Sequence, residues 1–296
     1  MQQEDLLIYK SDVHSQNGED GIIAAIFDRI GYTTKTCCEF GAWDGLYLSN
    51  CRNLILEGWG ALLIEADPRR FDDLVRNYKS NPSVICVNRF VDTGSNSLDS
   101  ILRAHQMSDL DFLSIDIDGL DYEIFEALET RPRVICIEVN AAHSPDANSR
   151  LDRDIAKKNV GQPLQVFVEI AKKKGYDLVC YTGNAFFVLR SVRTKSSLPE
   201  LSCEQAYQYF IDHLTTPLQR PPTPSREYLY LVNLGITHAC FRYHNPYLTR
   251  SALGISRSRL VRMAMTVMRA EGARILGYIK SRPKKMFTRK NGPTPT

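Results

Sequence analysis

Acidic side chains recur along the sequence at the points where short apolar runs end. Five successive runs end in this way. The first is followed by Glu39 and Asp44, the second by Glu65, the third by Asp92, the fourth by Asp116 and Asp118, and the fifth by Glu138 with Asn140. If the runs are parallel strands, these side chains share one edge of a sheet, which is where such sheets bind ligands. Carboxylates crowded at one edge repel one another, and a cationic ligand or a metal ion relieves that repulsion. Helix capping is the alternative explanation for any single acid, because Asp is a favoured N-cap residue.

The turn that follows the first run, EFGAWDG at residues 39–45, restricts the kind of ligand that can bind there. Gly41 and Gly45 permit a close approach to the backbone. The turn lacks the GxGxxG spacing that places a helix N-terminus against a pyrophosphate, and its two acids repel phosphate. Glu65 stands where an acid can accept both hydroxyls of a ribose. The pattern therefore favours S-adenosylmethionine, which carries an ammonium and a sulfonium but no phosphate, over NAD or FAD.

The apolar runs alternate with segments whose apolar residues have helical spacing, which is typical of a parallel sheet covered by helices on both faces. The first of these segments, LSNCRNLILEGW at residues 48–59, predicts a helix. Residues 176–190, YDLVCYTGNAFFVLR, are two apolar runs joined by Thr-Gly-Asn and predict a tight antiparallel hairpin. The sequence thus predicts an α/β fold. We expect a doubly wound, Rossmann-like, seven-stranded and mostly parallel sheet with an antiparallel C-terminal hairpin, followed by a helical or irregular C-terminal extension.

The chain divides into two predicted regions, a cofactor-binding domain over residues 1–190 and an extension over residues 191–296. Charge is distributed unevenly between them, since 12 of the 37 Lys and Arg residues lie between Arg250 and Lys290, together with a single acid, Glu271. Residues 256–281 predict a basic amphipathic helix, and the last residues predict a disordered tail. Two interpretations of this basic segment stay open: a solvated, disordered segment, or contact with an anionic membrane surface. Nucleic acid is a disfavoured partner, because the rest of the chain is acidic.

The N-terminus shows no signal-peptide pattern, and no window of about 18 uninterrupted apolar residues predicts a membrane-spanning helix. The eight cysteines form no CxxC pair and have no zinc-type spacing. We therefore expect a protein that is cytoplasmic or peripheral to a membrane, with buried and reduced thiols.

Six motifs between residues 13 and 145 resemble the FkbM-type family of class I S-adenosylmethionine-dependent methyltransferases. They are SQNGEDGI, EFGAWDG, LLIEADP, NRFVD, DFLSIDIDGLDYEIF and CIEVN, in the expected order and spacing. A parallel sheet that ends in a hairpin is also the arrangement of the class I methyltransferase fold.

The resemblance implies a role for each matching residue. Glu39 would lie near the amino group of the cofactor, and the turn Gly41, Ala42, Asp44 and Gly45 would hold its methionine end. Glu65 would bind the ribose, and Asp92 would lie near the adenine amino group. Residues of the leading segment would cover the cofactor; they are Ser15, Gln16 and Asp20. Asp116 would lie between the cofactor and the acceptor.

Methyl transfer to a hydroxyl requires that the hydroxyl is aligned and loses its proton. Asp116 with either Glu138 or His143 could position and deprotonate it. Oxygen ligands on two neighbouring strand ends could instead hold Mg²⁺ or Ca²⁺; they are Asp116, Asp118, Glu138 and Asn140. Some related methyltransferases hold a magnesium ion with acids at these two strand ends. The family's usual substrates favour O-methylation of a sugar, a glycan or a secondary metabolite as the reaction.

Two alternatives come from other classes of protein. SIDIDGLD imitates the Asp-x-Asp-Gly loop of haloacid-dehalogenase phosphatases, although it ends the fourth strand instead of the first and is followed by Leu120. A non-catalytic cofactor-binding or scaffold protein would have the same residues, and it would be distinguished by never converting S-adenosylmethionine to S-adenosylhomocysteine.

Overall fold

The computed structural model describes residues 5–117, 119–139 and 161–215. Seven strands form one sheet in the order β3-β2-β1-β4-β5-β7-β6. Their bounds are β1 Thr36–Phe40, β2 Gly60–Glu65, β3 Val84–Asn88, β4 Phe112–Ile115, β5 Val134–Glu138, β6 Tyr176–Tyr181 and β7 Asn184–Leu189. The pairs among β1 to β5 are parallel, whereas β7 runs antiparallel to both of its neighbours, β5 and β6. The predicted seven-stranded α/β fold with a C-terminal hairpin is confirmed.

Helices connect the strands and cover both faces of the sheet. A 3₁₀ helix, Leu6–Tyr9, comes first, followed by α1 Glu19–Ile30, α2 Arg52–Leu56, α3 Pro68–Tyr78, α4 Leu98–Ala104, α5 Asp121–Ala127, α6 Leu164–Lys173, α7 Arg190–Arg193 and α8 Cys203–Thr215. Asp67 caps α3 by accepting the N–H groups of Arg69 and Arg70, and Ser97 caps α4 by accepting that of Ser100. The helix predicted from residue 48 begins only at Arg52, because the preceding residues wrap around Glu39 instead.

Two hydrophobic clusters, one on each face of the sheet, explain why the strands are apolar at almost every position. Along β1, for example, Cys38 and Phe40 belong to one cluster, while Cys37 belongs to the other. In the described part of the chain all seven cysteines are free, and all except the half-buried Cys86 are buried. The thiols therefore act as small apolar side chains of the core, as the sequence predicts.

The core continues beyond residue 190 into α8, a helix that the sequence pattern does not predict. Tyr207 and Phe210 of α8 are buried against Tyr181 of β6, with ring centroids 6.2 and 5.2 Å from that of Tyr181. Near the end of α8, His213 Nε2 lies 2.7 Å from Asp5 Oδ2. The described part of the extension thus packs against the sheet. The predicted boundary at residue 190 and the basic segment at 250–290 stay predictions, and the latter lies outside the described residues.

At the amino edge of the sheet, Asp111 joins the segment before β1 to β5. Its fully buried carboxylate accepts the N–H groups of residues 33, 34 and 35 and pairs with the guanidinium of Arg133 at 2.8 Å. Among the described residues, no helix is long and apolar enough to cross a membrane.

Candidate functional site

The order of the strands reverses between β1 and β4, and the loops that follow these two strands approach each other closely at that point. Gly41 follows β1, and a Cβ atom on it would lie 2.0 Å from the carbonyl oxygen of Asp116, which follows β4. Its φ angle of +78° also favours glycine. The two loops at the carboxyl ends of β1 and β4 can therefore meet only because residue 41 has no side chain.

Glu39 is the last acid of β1 and is 5% exposed. The hydroxyl of Ser49 donates to it at 2.5 Å, and the N–H of Asn50 donates at 2.8 Å. The amide of Asn50 also donates to Ser114 Oγ on β4, at 3.0 Å. Burial raises the pKa of Glu39 to about 7, and the nearby charge of Asp20 adds to the increase. A buried carboxylate that titrates near neutrality gains from a cationic partner.

Ser49 and Asn50 belong to this site, and the sequence analysis missed them. The sequence pattern places them in the first turn of the helix predicted over residues 48–59. A weak signal is present in LSNC, where these two polar residues separate Leu48 from Cys51.

Glu65 ends β2 and is 4% exposed. One carboxylate oxygen accepts the N–H of Trp43 and the other accepts that of Asp67, both at 2.8 Å. Glu65 thereby connects the turn after its own strand to the turn after β1. A carboxylate offers about four acceptor sites, so two remain for ribose hydroxyls.

Asp44 and Gly45 have structural roles in the same turn. The fully buried side chain of Asp44 accepts the N–H groups of Leu46 and Tyr47, at 3.0 and 2.9 Å. A Cβ atom on Gly45 would lie 2.5 Å from the ring of Tyr78 on α3. The hydrogen bonds of Asp44 and the close packing at Gly45 are sufficient reasons for these residue types in the turn. Their contact with a cofactor stays a prediction.

Asp92 lies in the loop after β3, the strand beside β2. Its carboxylate accepts the N–H groups of Gly94 and Asn96, at 2.7 and 3.1 Å. The side chain is half-buried and leaves acceptor capacity for a further donor.

Two adjacent carboxylates at the start of α1 hold the leading segment. Asp20 accepts the N–H groups of residues 13, 14 and 15 at 2.9, 2.7 and 2.8 Å, as well as the hydroxyl of Ser15 at 2.8 Å. Glu19, which the sequence pattern does not indicate, accepts the N–H groups of residues 16 and 17 at 3.1 and 2.6 Å. Five consecutive N–H groups therefore point at carboxylates.

Two acceptors of this segment remain without a partner. Asp20 Oδ1 and Asn17 Oδ1 are both buried, and neither has a hydrogen-bond partner among the described residues. Unsatisfied buried acceptors are rare in folded proteins, and a donor from a ligand is one explanation of such a pair.

The residues predicted to act on the acceptor are only partly described. Asp116 is exposed, and Glu138 is half-buried and pairs in register with Asn184 of β7. The buried Asp121 accepts the N–H groups of Ile117 and Gly119, at 3.0 and 2.9 Å, so this acid of the SIDIDGLD motif shapes the loop after β4. The predicted residues Asp118, Asn140 and His143 lie outside the described residues.

No group of three metal-ligating side chains occurs within residues 5–117, 119–139 and 161–215. Since two of the four predicted ligands, Asp118 and Asn140, lie elsewhere, the magnesium site stays a prediction.

A cavity of about 310 Å³ lies between α1 and α2. Asp20 and Asn50 line it, but Gly41, Glu65 and Asp116 do not. Of the acids described above, only Asp20 lines this cavity. The fit of a sulfonium cofactor to that edge depends on the acids themselves, on the close approach at Gly41 and on the unpartnered oxygen of Asp20.

The model of the methyltransferase FkbM domain matches residues 91–178. The match includes Asp92, Asp116 and Glu138 but begins after Glu39 and Glu65. No curated protein matches the chain.

Solved structures give matches of low sequence identity. One is the glycopeptide N-methyltransferase MtfA complexed with S-adenosyl-L-methionine, at 11% identity, covering 64% of this chain and 91% of that chain with a TM-score of 0.37. Another is precorrin-6y C5,15-methyltransferase from Geobacter metallireducens GS-15, at 15% identity. That match covers 60% of this chain and 90% of the other chain, with a TM-score of 0.35. The fibrillarin/Nop5p complex matches at 16% identity, with 58% and 79% coverage and a TM-score of 0.36.

Proposed function

We propose, on the premise that residues 91–178 are a methyltransferase FkbM domain, that the protein transfers a methyl group from S-adenosylmethionine to a hydroxyl of a sugar, a glycan or a secondary metabolite. The observation that carries the proposal is the close approach of Gly41 to Asp116 at the point where the strand order reverses. Glu39 and Glu65 end the two adjoining strands, so acids surround the place where a doubly wound sheet binds its ligand.

The cofactor would be held through its donor groups. Glu65 would accept the ribose hydroxyls with its remaining lone pairs, and Asp92 would accept from the adenine amino group. Glu39, together with Asp20, would face the amino group of the methionine end. Backbone groups of residues 41–45 would line that end, and Ser15 and Gln16 would cover it. When bound, the cofactor supplies an electrophilic methyl group.

Electrostatics support a cation at this place. Burial raises the pKa of Glu39 to about 7, and Asp20 adds a second negative charge nearby. A bound ammonium would lower the cost of keeping both groups ionised. A pyrophosphate would increase that cost, which argues against a dinucleotide.

The acceptor would bind on the β4 and β5 side of the switch point. Asp116 is exposed there and would orient the acceptor hydroxyl. Glu138 or His143 would take the hydroxyl proton. Mg²⁺ held by Asp116, Asp118, Glu138 and Asn140 is the second way to activate the hydroxyl, and loss of turnover in EDTA with recovery in Mg²⁺ would identify it.

The preference for a sugar, glycan or metabolite hydroxyl rests on the family resemblance and on no described residue. A screen of such acceptors with labelled cofactor tests it, and transfer only to an amine or a carbon atom would contradict it.

The basic segment at 250–290 is proposed to attach the protein to anionic membranes from the cytoplasmic side. Its 12 basic residues and apolar positions support this proposal. Liposome flotation of the full chain and of a variant with its Arg residues changed to Gln is the test, and equal flotation of the two would contradict it.

The central experiment is calorimetry with S-adenosylhomocysteine, followed by turnover assays of Asp116→Ala. We expect the wild type to bind, and the variant to bind equally well while losing most of its turnover. Absence of binding by the wild type would overturn the proposed function, and full turnover by Asp116→Ala would remove this residue from the mechanism.

A further inference from the structure

Glu19 joins the leading segment to the far end of the sheet. One of its carboxylate oxygens accepts the N–H groups of Gln16 and Asn17, at 3.1 and 2.6 Å. The other accepts the amide of Asn184 at 3.0 Å and the hydroxyl of Thr182 at 3.3 Å. Thr182 lies in the turn of the β6–β7 hairpin, and Asn184 is the first residue of β7. The side chain is 0% exposed, so these four donors take the place of water around a buried charge.

The geometry of residues 13–17 gives this connection a consequence for ligand binding. Their N–H groups are all occupied by Glu19 and Asp20. The backbone of the segment therefore has no N–H group left for a ligand, whereas two acceptors, Asn17 Oδ1 of the segment and Asp20 Oδ1 of α1, are buried without a partner among the described residues. Two buried acceptors without a partner suit a ligand group that donates, such as an ammonium.

We propose that Glu19 is a positioning residue, which fixes residues 13–17 against the hairpin so that Asn17 and Asp20 accept from the amino group of the bound cofactor. The inference rests on the proposed function and adds Glu19 and Asn17 to the residues on which cofactor affinity depends. Glu19 acts through the segment that it holds, whereas Asn17 Oδ1 contacts the ligand directly.

Removal of the carboxylate would leave two backbone donors of the segment and two donors of the hairpin turn unsatisfied. The segment would then move to find water, and its acceptors would no longer be in place. Glu19→Gln is the conservative variant, because an amide oxygen can still accept from residues 16 and 17. Its NH₂ group can donate to the hydroxyl of Thr182 or to the amide oxygen of Asn184.

The test is titration calorimetry of S-adenosylhomocysteine against the full chain, well below each variant's melting temperature. Glu19→Ala is expected to bind about tenfold more weakly or worse, and Glu19→Gln within about threefold of the wild type. Glu57→Ala, which removes an exposed acid directly after α2, serves as the control and should bind normally. Tight binding by Glu19→Ala, or equal losses in the Ala and Gln variants, would overturn the inference.

Asn17→Ala separates ligand contact from structural support. Deleting an unpartnered buried acceptor should leave the melting temperature of the free protein unchanged or higher, and it should weaken S-adenosylhomocysteine binding about tenfold. A lower melting temperature with unchanged affinity would show a structural role alone and refute the assignment. If Glu19→Ala does not fold, Asn17→Ala and Asn184→Ala decide the question, since both should weaken binding. Failure of the wild type to bind would refute the proposed function, which is a separate outcome.

Discussion

Gly41 and Asp116 lie on loops from neighbouring strands, and the Cβ atom that glycine lacks would overlap the carbonyl oxygen of Asp116 at 2.0 Å. The opposing atom belongs to the backbone, so no side-chain rotation can relieve such an overlap. One missing methyl group thereby sets the separation of the two loops that surround the proposed methyl-transfer site.

Substitution of Gly41 by Ala should therefore lower the free energy of unfolding by more than the strain of a left-handed backbone conformation alone. We expect a loss of about 3 kcal/mol in the free energy of unfolding, from backbone strain together with steric overlap. Gly58→Ala is a matched control, because Gly58 has a φ angle of +86° and nothing within 4 Å of its missing Cβ. It should lose only about 1–2 kcal/mol. Urea denaturation measures both, and equal losses would show that the contact with Asp116 is unimportant.

Cofactor affinity should depend on pH through Glu39. Burial raises the pKa of this carboxyl to about 7, so in the free protein it is mostly protonated at pH 6. An ammonium favours the ionised form, and binding should therefore tighten as the pH rises towards 7, by up to about tenfold per unit, with release of a proton. Calorimetry in buffers of different ionisation enthalpy detects that proton.

The stability of the free protein should change in the opposite direction with pH. Because the pKa of Glu39 is raised above its ordinary value, its contribution is fully present below the unfolded value of 4.5 and is lost as the pH rises to about 7. Glu39→Gln should abolish this contribution and the pH dependence of binding together. Persistence of both in the variant would assign them to another group.

The ion pair at the amino edge should matter for stability and not for binding. Asp111→Asn leaves the partly exposed guanidinium of Arg133 without its fully buried partner, which we expect to cost about 3–5 kcal/mol. The surface pair of Asp73 and Arg76 is the control, and Asp73→Asn should cost about 1 kcal/mol or less.

The pH dependence of this ion pair follows from the pKa of Asp111. Burial alone would raise that pKa, but the guanidinium of Arg133 and the N–H groups of residues 33–35 together lower it. The stabilisation should therefore be present above the ordinary value and disappear in acid. Chemical denaturation at several pH values checks this, and altered cofactor affinity in Asp111→Asn would contradict the separation of this edge from the site.

Two substitutions at the contact between α8 and β6 should differ in their effect on stability. Phe210→Ala removes a fully buried ring and is expected to cost about 3–5 kcal/mol. Tyr181→Phe removes a buried hydroxyl that has no hydrogen-bond partner among the described residues, so it should be neutral or stabilising. Thermal denaturation measures both. A negligible cost for Phe210→Ala would mean that α8 is not an integral part of the core.

The strands could be predicted from sequence because both faces of the sheet are buried, which makes each strand apolar throughout. Helix α2 was predicted to begin too early, since Ser49 and Asn50 serve the carboxylate of Glu39 and do not continue a helix. Helix α8 was missed because its buried aromatic residues come after a stretch without a clear pattern. In each case a distant contact decided the local structure.

The sequence could predict those residues of the candidate site that lie at the carboxyl ends of strands, as Glu39, Glu65 and Asp116 do. Glu19 was not predictable in this way, because an acid in the first turn of a helix has a sufficient local explanation. Its partners Thr182 and Asn184 lie 163 and 165 positions further along the chain. Nothing within the neighbourhood of residue 19 in the sequence identifies them.

The link between Glu19 and the hairpin turn also constrains the order of events during synthesis. A nascent chain that has emerged only as far as β5 contains every proposed cofactor ligand but neither Thr182 nor Asn184. Half of the hydrogen bonds to Glu19 are then unmade, and residues 13–17 are held only by their local bonds to Glu19 and Asp20. On the proposed role of Glu19, the ribosome must therefore deliver the last two strands before residues 13–17 are fixed for cofactor binding.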